Sequence, residues 1–134
     1  MVKSATQYLF AKTYGLASFA YRSWHGLRHK ELLGAQTAVW SGEQVLLIRN
    51  TYRNTYGFPG GYLSTSEAPV SAAQRELKEE VGIWCSRSQL RLAFVNEYAD
   101  GRVSGKDWIF ETDLESAPVL TLDLREIESA AFFN

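Results

Sequence analysis

Apolar and polar positions repeat along this chain with several different periods, and each period predicts an element. In the first thirty residues Phe10, Tyr14, Ala17, Tyr21 and Trp24 fall on one helical stripe, with Leu9, Leu16, Ala20 and Leu27 on the stripe beside it. The pattern predicts an amphipathic helix, capped by Ser4 or Thr6 and ended by Gly26 or Gly34. Beyond Gly34 the helical period is lost. Ala35–Trp40 and Val45–Arg49 are short apolar runs around Ser41-Gly42-Glu43-Gln44, which predicts a β-hairpin. Residues 50–54 predict a loop, and Phe58-Pro59-Gly60-Gly61 predicts a break. A helical period returns from Pro69 to Val81, with proline suited to the first turn and Gly82 placed to end the last one. Leu90–Tyr98, Lys106–Thr112 and Ile127–Phe133 predict three further strands.

The second helix carries an unusual polar face. With Glu76 at zero on a helical wheel, Glu79 falls at about −60° and Glu80 at about +40°. Val70, Ala73, Leu77 and Val81 lie between about +60° and +140°. Three carboxylates thus share an arc beside the apolar face. Each like-charged i,i+3 or i,i+4 pair costs about 0.2–0.5 kcal/mol, partly offset by Arg75 and Lys78. Two readings of the arc compete: a solvated acidic face, or a set of hard oxygen ligands for a divalent cation.

The residues around the helix decide between them. Gly61, Glu67, Arg75-Glu76-Leu77, Glu79-Glu80 and Gly82-Ile83 stand at the spacing G-x5-E-x7-R-E-U-x-E-E-x-G-U, where U is aliphatic. This resembles the Nudix box at every specified position. Chance coincidence in a chain this long is on the order of 10⁻⁸ at average residue frequencies. Val45–Arg49 with Gly57–Gly61 is similar to the strand and glycine turn that precede the box. Glu126-Ile127-Glu128 with Ala131–Phe133 is similar to the family's last strand.

The resemblance implies an α/β fold: a Nudix-type α/β/α sandwich with a mixed β-sheet over residues 34–134, preceded by the basic helix of residues 1–33. It implies metal-dependent hydrolysis of the diphosphate bond in a nucleoside diphosphate linked to another group, with Mg²⁺ or Mn²⁺ as cofactor. Glu76, Glu79 and Glu80 match the acids that bind metal and serve catalysis, and the Gly61 carbonyl matches a further ligand. Glu67 and Arg75 match residues that hold the loop-helix-loop in shape. Glu126 resembles the acid just before the final strand and is the favoured extra ligand or base, ahead of Glu97, Asp107 and Glu111. The alternative is a non-catalytic nucleotide-binding or regulatory Nudix domain, attached to a membrane surface through the N-terminal helix.

For the substrate, Arg49 and Arg53 are candidate phosphate contacts. Tyr56, with Tyr52, Tyr98 and Trp108, is a candidate for stacking on a base or sugar. His25 and His29 are spaced i,i+4, but without a third ligand nearby they read as surface histidines. Cys85 reads as a packed thiol.

Composition adds three limits. The 134 residues are one domain's worth, with 46% apolar and 22% charged side chains, which excludes a disordered or disulfide-scaffold protein. A single cysteine fits a reducing compartment, hence a cytoplasmic protein, and no run of apolar residues is long enough to span a bilayer. The net charge of −1 gives no case for nucleic-acid binding, yet it is unevenly spread. Residues 1–30 hold five basic and no acidic side chains, and the remainder holds nine basic and fifteen acidic ones.

That basic helix has three readings: docking on an uncovered sheet face, an arm contacting a membrane surface or a partner, or a targeting presequence. Nudix domains generally continue past the last strand into a helix. Here Asn134 follows Phe133, so a shortened C-terminus is expected, and homodimer formation is a further family trait to test.

Overall fold

The computed structural model describes residues 31–101 and 103–134, together with Ala17 and Ala20, which are helical and exposed. The rest of the expected N-terminal helix, with His25 and His29, lies outside the described residues.

Seven strands and one α-helix make up the described fold. The strands are β1 (Leu32–Ser41), β2 (Gln44–Asn50), β3 (Tyr56–Gly57), β4 (Gly60–Tyr62), β5 (Arg91–Asp100), β6 (Val103–Leu114) and β7 (Ile127–Phe133). The helix α1 spans Pro69–Val81, and a single 3₁₀ turn, Arg87–Gln89, leads into β5. The sheet runs β3-β2-β1-β6-β5, with β4 added to β1 and β7 to β2. Every pairing is antiparallel except β1 with β6, which makes the sheet mixed.

The predicted hairpin forms with Gly42 at φ 60°, in a turn that sets Ser41 opposite Gln44. The strands run longer than their apolar cores: β1 by three residues at its start, β6 by three at its start and two at its end. Partner strands impose this extension, since ten consecutive β1 residues are in register with β6. The break predicted at Phe58–Gly61 contains strand as well. Gly60 and Gly61 pair with Gln36 and Ala35, and a Cβ on Gly60 would run into the β1 backbone, so only glycine lets these strands meet there.

The helix matches its predicted bounds. Pro69 opens it, and Gly82 closes it at φ 75°. The Gly82 N–H donates to the Lys78 carbonyl (3.1 Å), the bond of an αL cap, and the Ile83 N–H donates to the Leu77 carbonyl (3.3 Å). Its apolar side, Ala72, Ala73, Leu77 and Val81, is buried with Ala35, Val39, Leu46, Ile48, Phe110 and Ile127 in one core. Cys85 lies in that core as a free, buried thiol. Among the described residues no helix is long and apolar enough to cross a membrane.

Candidate active site

The carboxylate arc does not face solvent as a whole. Ala72, at about −40° on the same wheel, is fully buried, so the apolar and acidic faces overlap. The helix packs on β1 and β4, which draws two acids inward. Glu80 is only 3% exposed and accepts a hydrogen bond from the Gly60 N–H (2.8 Å). Burial pushes its pKa up to about 8, with Glu76, Glu126 and Glu79 adding repulsion and the Gly60 bond opposing. Glu76 is also raised, again mainly by burial, while Arg75 pulls the other way. Glu76 lies against Gly61 so closely that a Cβ there would fall 2.5 Å from its Oε1.

Arg75 ties the segment together. Its Nε and Nη2 donate to the two oxygens of Glu67 (both 2.9 Å), its Nη2 to the Tyr62 carbonyl (3.1 Å), and its Nη1 to Glu76 (2.6 Å). The paired guanidinium holds the Glu67 carboxyl down at about 2. Glu67 in turn accepts from the Ser64 N–H (2.9 Å), so one ion pair joins loop, helix and β4.

Glu79 is placed differently from its two neighbours. Its side chain is 59% exposed and meets Arg75 at 3.3 Å. Accordingly, no group of three acids, histidines or cysteines converges to hold a metal ion among the described residues.

A cleft of about 440 Å³ opens over Glu76 and Glu80. Gly60 and Gly61 form its floor, and Glu126 and Asp107 add two further acids to its walls. Tyr52, Tyr56 and Tyr98 line it, as does Tyr62, which the sequence did not single out. Arg53 is the one basic side chain lining it among the described residues, and its guanidinium lies 5.5 Å from the centre of the Tyr52 ring. Asp107 enters through register: β6 sets it beside Gly34, whose missing side chain leaves room for the carboxylate. That signal becomes legible only once β1 and β6 are known to be parallel neighbours.

Other candidates lie elsewhere. Arg49 pairs with Glu128 (3.1 Å), its guanidinium 5.8 Å from the Tyr56 ring centre, and it is not among the residues lining the cleft. Glu97 pairs with Lys106 (3.1 Å) and Glu111 with Arg91 (3.4 Å). Trp108 packs against the core.

The arrangement offers hard oxygen donors on one wall, one cation at the rim and aromatic faces between them. Comparison with known proteins agrees with this geometry. The family model described as NUDIX domain matches residues 33–134. No curated protein sequence matches the chain significantly.

Among solved structures, a MutT/nudix family protein from Enterococcus faecalis superposes with a TM-score of 0.71 at 20% identity, covering 100% of this chain and 57% of that one. A MutT NUDIX hydrolase from Burkholderia pseudomallei gives 0.65 at 22% identity, covering 78% and 83% respectively. A bifunctional NMN adenylyltransferase/ADP ribose pyrophosphatase from Francisella tularensis, complexed with AMP and manganese, gives 0.65 at 16% identity, covering 87% and 40%. This chain thus spans little more than half the length of the Enterococcus protein and less than half of the Francisella one. At these identities the likeness is one of fold.

Proposed function

The chain belongs to the Nudix family of pyrophosphohydrolases, and from that premise we propose that it hydrolyses, with a divalent cation, the diphosphate bond of a nucleoside diphosphate linked to another group. Water attacks one phosphorus, the bridging P–O bond breaks, and a nucleoside monophosphate and a second phosphorylated group leave. The observation that carries the reading is the placement of Glu76 and Glu80. Two carboxyls from one helix are held in the same cleft against paired glycines, in surroundings that make their negative charge unfavourable without a cation.

The donor set fits Mg²⁺ or Mn²⁺, because it is carboxylate and carbonyl oxygen throughout. Glu76 and Glu80, with the Gly61 carbonyl, would hold the ion, and Glu126, which lines the same cleft, would complete the set by moving inward. Glu79 would join by turning inward from its 3.3 Å ion pair with Arg75, and surface pairs of this kind contribute about 0–1 kcal/mol. A bound ion would neutralise the phosphate oxygens and lower the pKa of coordinated water.

The chain's own residues do the rest. Arg75 and Glu67 fix the helix against β4, so that the carboxyls stay aligned with the phosphorus. Arg53 meets phosphate at the rim, and Tyr56 offers a face to a base or sugar. The Francisella relative, solved with AMP and manganese, supports a nucleotide-and-metal reading.

A second reading, nucleotide binding without cleavage, draws on the outward Glu79. A panel of nucleotide derivatives with Mg²⁺ or Mn²⁺, read as phosphate released after coupling to a phosphatase, separates them. Metal-dependent release supports hydrolysis. Saturable binding with no release in any member of the panel supports the second reading.

A further inference from the structure

The cleft extends from α1 onto the sheet, where β1 and β6 supply Gly34, Gln36 and Asp107 and β5 supplies Tyr98. Register explains the grouping. Asp107 pairs with Gly34 and Tyr98 with Gly105, and residues directly opposite one another share a face of the sheet. The smaller partner is glycine in both pairs. The Asp107 carboxylate lies where a Gly34 Cβ would stand, and the hydroxyl end of Tyr98 lies where a Gly105 Cβ would stand. The acid is thereby laid across β1 towards β4. The Gly61 carbonyl oxygen is 3.5 Å from the same Gly34 position, so Asp107 is a close neighbour of the backbone oxygen proposed for the cation.

The two sides of the cleft differ in charge. The loop after β2 brings Arg53, whereas β1, β5 and β6 bring a carboxylate, an amide and a phenol, with no cation among the described residues that line it there. A phosphate finds no counter-charge on that second wall. An ionised carboxylate accepts hydrogen bonds and donates none, so its ligand must carry donors. In a nucleoside 5′-phosphate the first donors met on leaving phosphorus are the ribose hydroxyls, and base amines lie further out. A carboxylate offers about four lone-pair positions, enough for a cis-diol beside a bond made within the chain.

We propose, resting on the hydrolase reading, that Asp107 is a specificity-determining residue that accepts hydrogen bonds from the ribose 2′- and 3′-hydroxyls of the nucleotide, with Tyr98 walling the same subsite. The missing side chain of Gly34 lets the carboxylate reach that position from β6. The consequence is selection for ribonucleotides over 2′-deoxyribonucleotides, because the deoxy sugar covers the carboxylate and leaves one of its acceptors unpaired.

The test uses the full chain, wild type beside Asp107→Ala and Asp107→Asn. The 5′-monophosphates of adenosine, guanosine, cytidine and uridine, with their 2′-deoxy counterparts, are titrated calorimetrically in Mn²⁺. The matching triphosphates are compared in initial-rate kinetics. Monophosphate binding needs no turnover, so it tests Asp107 even where hydrolysis fails. For the base bound most tightly, the wild type is expected to hold the ribonucleotide at least about tenfold more tightly than the 2′-deoxy form. Asp107→Ala should abolish that ratio by weakening the ribonucleotide alone. Asp107→Asn keeps one accepting oxygen and should leave an intermediate ratio, and it serves if the alanine variant is unstable. Mn²⁺ affinity without nucleotide should be unchanged in both. Equal binding of ribo and deoxy forms by the wild type, an equal loss of both in Asp107→Ala, a fall in Mn²⁺ affinity, or binding of none of these nucleotides would each overturn the proposal. The expected ratio without hydrolysis of any triphosphate would support Asp107 in this role and count against the hydrolase reading alone.

Discussion

Glu80→Gln isolates the cost of holding a charge under the helix. In the unfolded chain this carboxyl ionises near 4.5, and in the folded protein near 8. Between those values the unfolded state has released a proton that the folded state keeps. Stability contributed by this group is therefore present below pH 4.5, falls as pH rises, and is fully lost above pH 8. Each pH unit in that window changes the balance by about 1.4 kcal/mol, which puts the upper limit for the whole window at about 5 kcal/mol.

Glutamine has almost the same volume and still accepts from the Gly60 N–H, but it carries no titrating proton. At pH 5 the variant should be no more stable than the wild type, and less so by about 1 kcal/mol if its amide is imperfectly paired. By pH 8.5 it should be more stable by a few kcal/mol, so the two curves cross. Relief of repulsion on Glu76 adds to the gain. The assay is urea denaturation from pH 5 to 9 in EDTA, repeated with Mn²⁺. The cation should stabilise the wild type most at high pH and the variant much less. Hydrolysis should fall by orders of magnitude in a variant that is folded and, at high pH, the sturdier of the two. Parallel curves from pH 5 to 8.5, or equal stabilisation of both proteins by Mn²⁺, would refute the reasoning.

Other outcomes follow from the same geometry. Gly61→Ala places a methyl 2.5 Å from Glu76 Oε1, so it should displace that carboxyl and lower kcat at least about tenfold, with a stability loss of about 1–3 kcal/mol by thermal melting. Arg75→Met removes both guanidinium bonds to Glu67 and should cost about 2–3 kcal/mol in urea titrations at pH 7. That difference should shrink as pH falls from 4.5 towards 2, because the pair's stabilisation vanishes as Glu67 protonates. Arg53→Ala should raise KM with kcat nearly unchanged, whereas Arg49→Ala should leave both near wild type, read from initial-rate kinetics on any substrate the panel identifies.

What could be read in advance divides along physical lines. Local rules governed α1: proline at its start, glycine in the left-handed conformation at its end, and a 3.6-residue period between them. Its bounds were accordingly legible. The strands were legible where apolar residues run together, but not β3 and β4, because strands of two and three residues rich in glycine owe their conformation to the strand beside them. The site divides in the same way. Spacing placed Glu76, Glu79 and Glu80 on one arc, but only tertiary packing turns Glu80 inward and leaves Glu79 to Arg75. Asp107 and Tyr62 reach the cleft through the register of β1 with its neighbours, which no single segment encodes.

The parallel union of β1 with β6 also bears on how the chain is assembled. Leu32 meets Gly105 and Ser41 meets Leu114, so the central strand reaches about seventy residues ahead for its longest partner. Contacts of such high sequence separation are slow to form, because a large loop must close before any of them is rewarded. The acidic helix sits inside that loop. During refolding it can coil early from its own caps, but its carboxyls acquire their wall only when the sheet zips around them. Metal affinity should therefore emerge in the last kinetic phase, together with native tertiary structure.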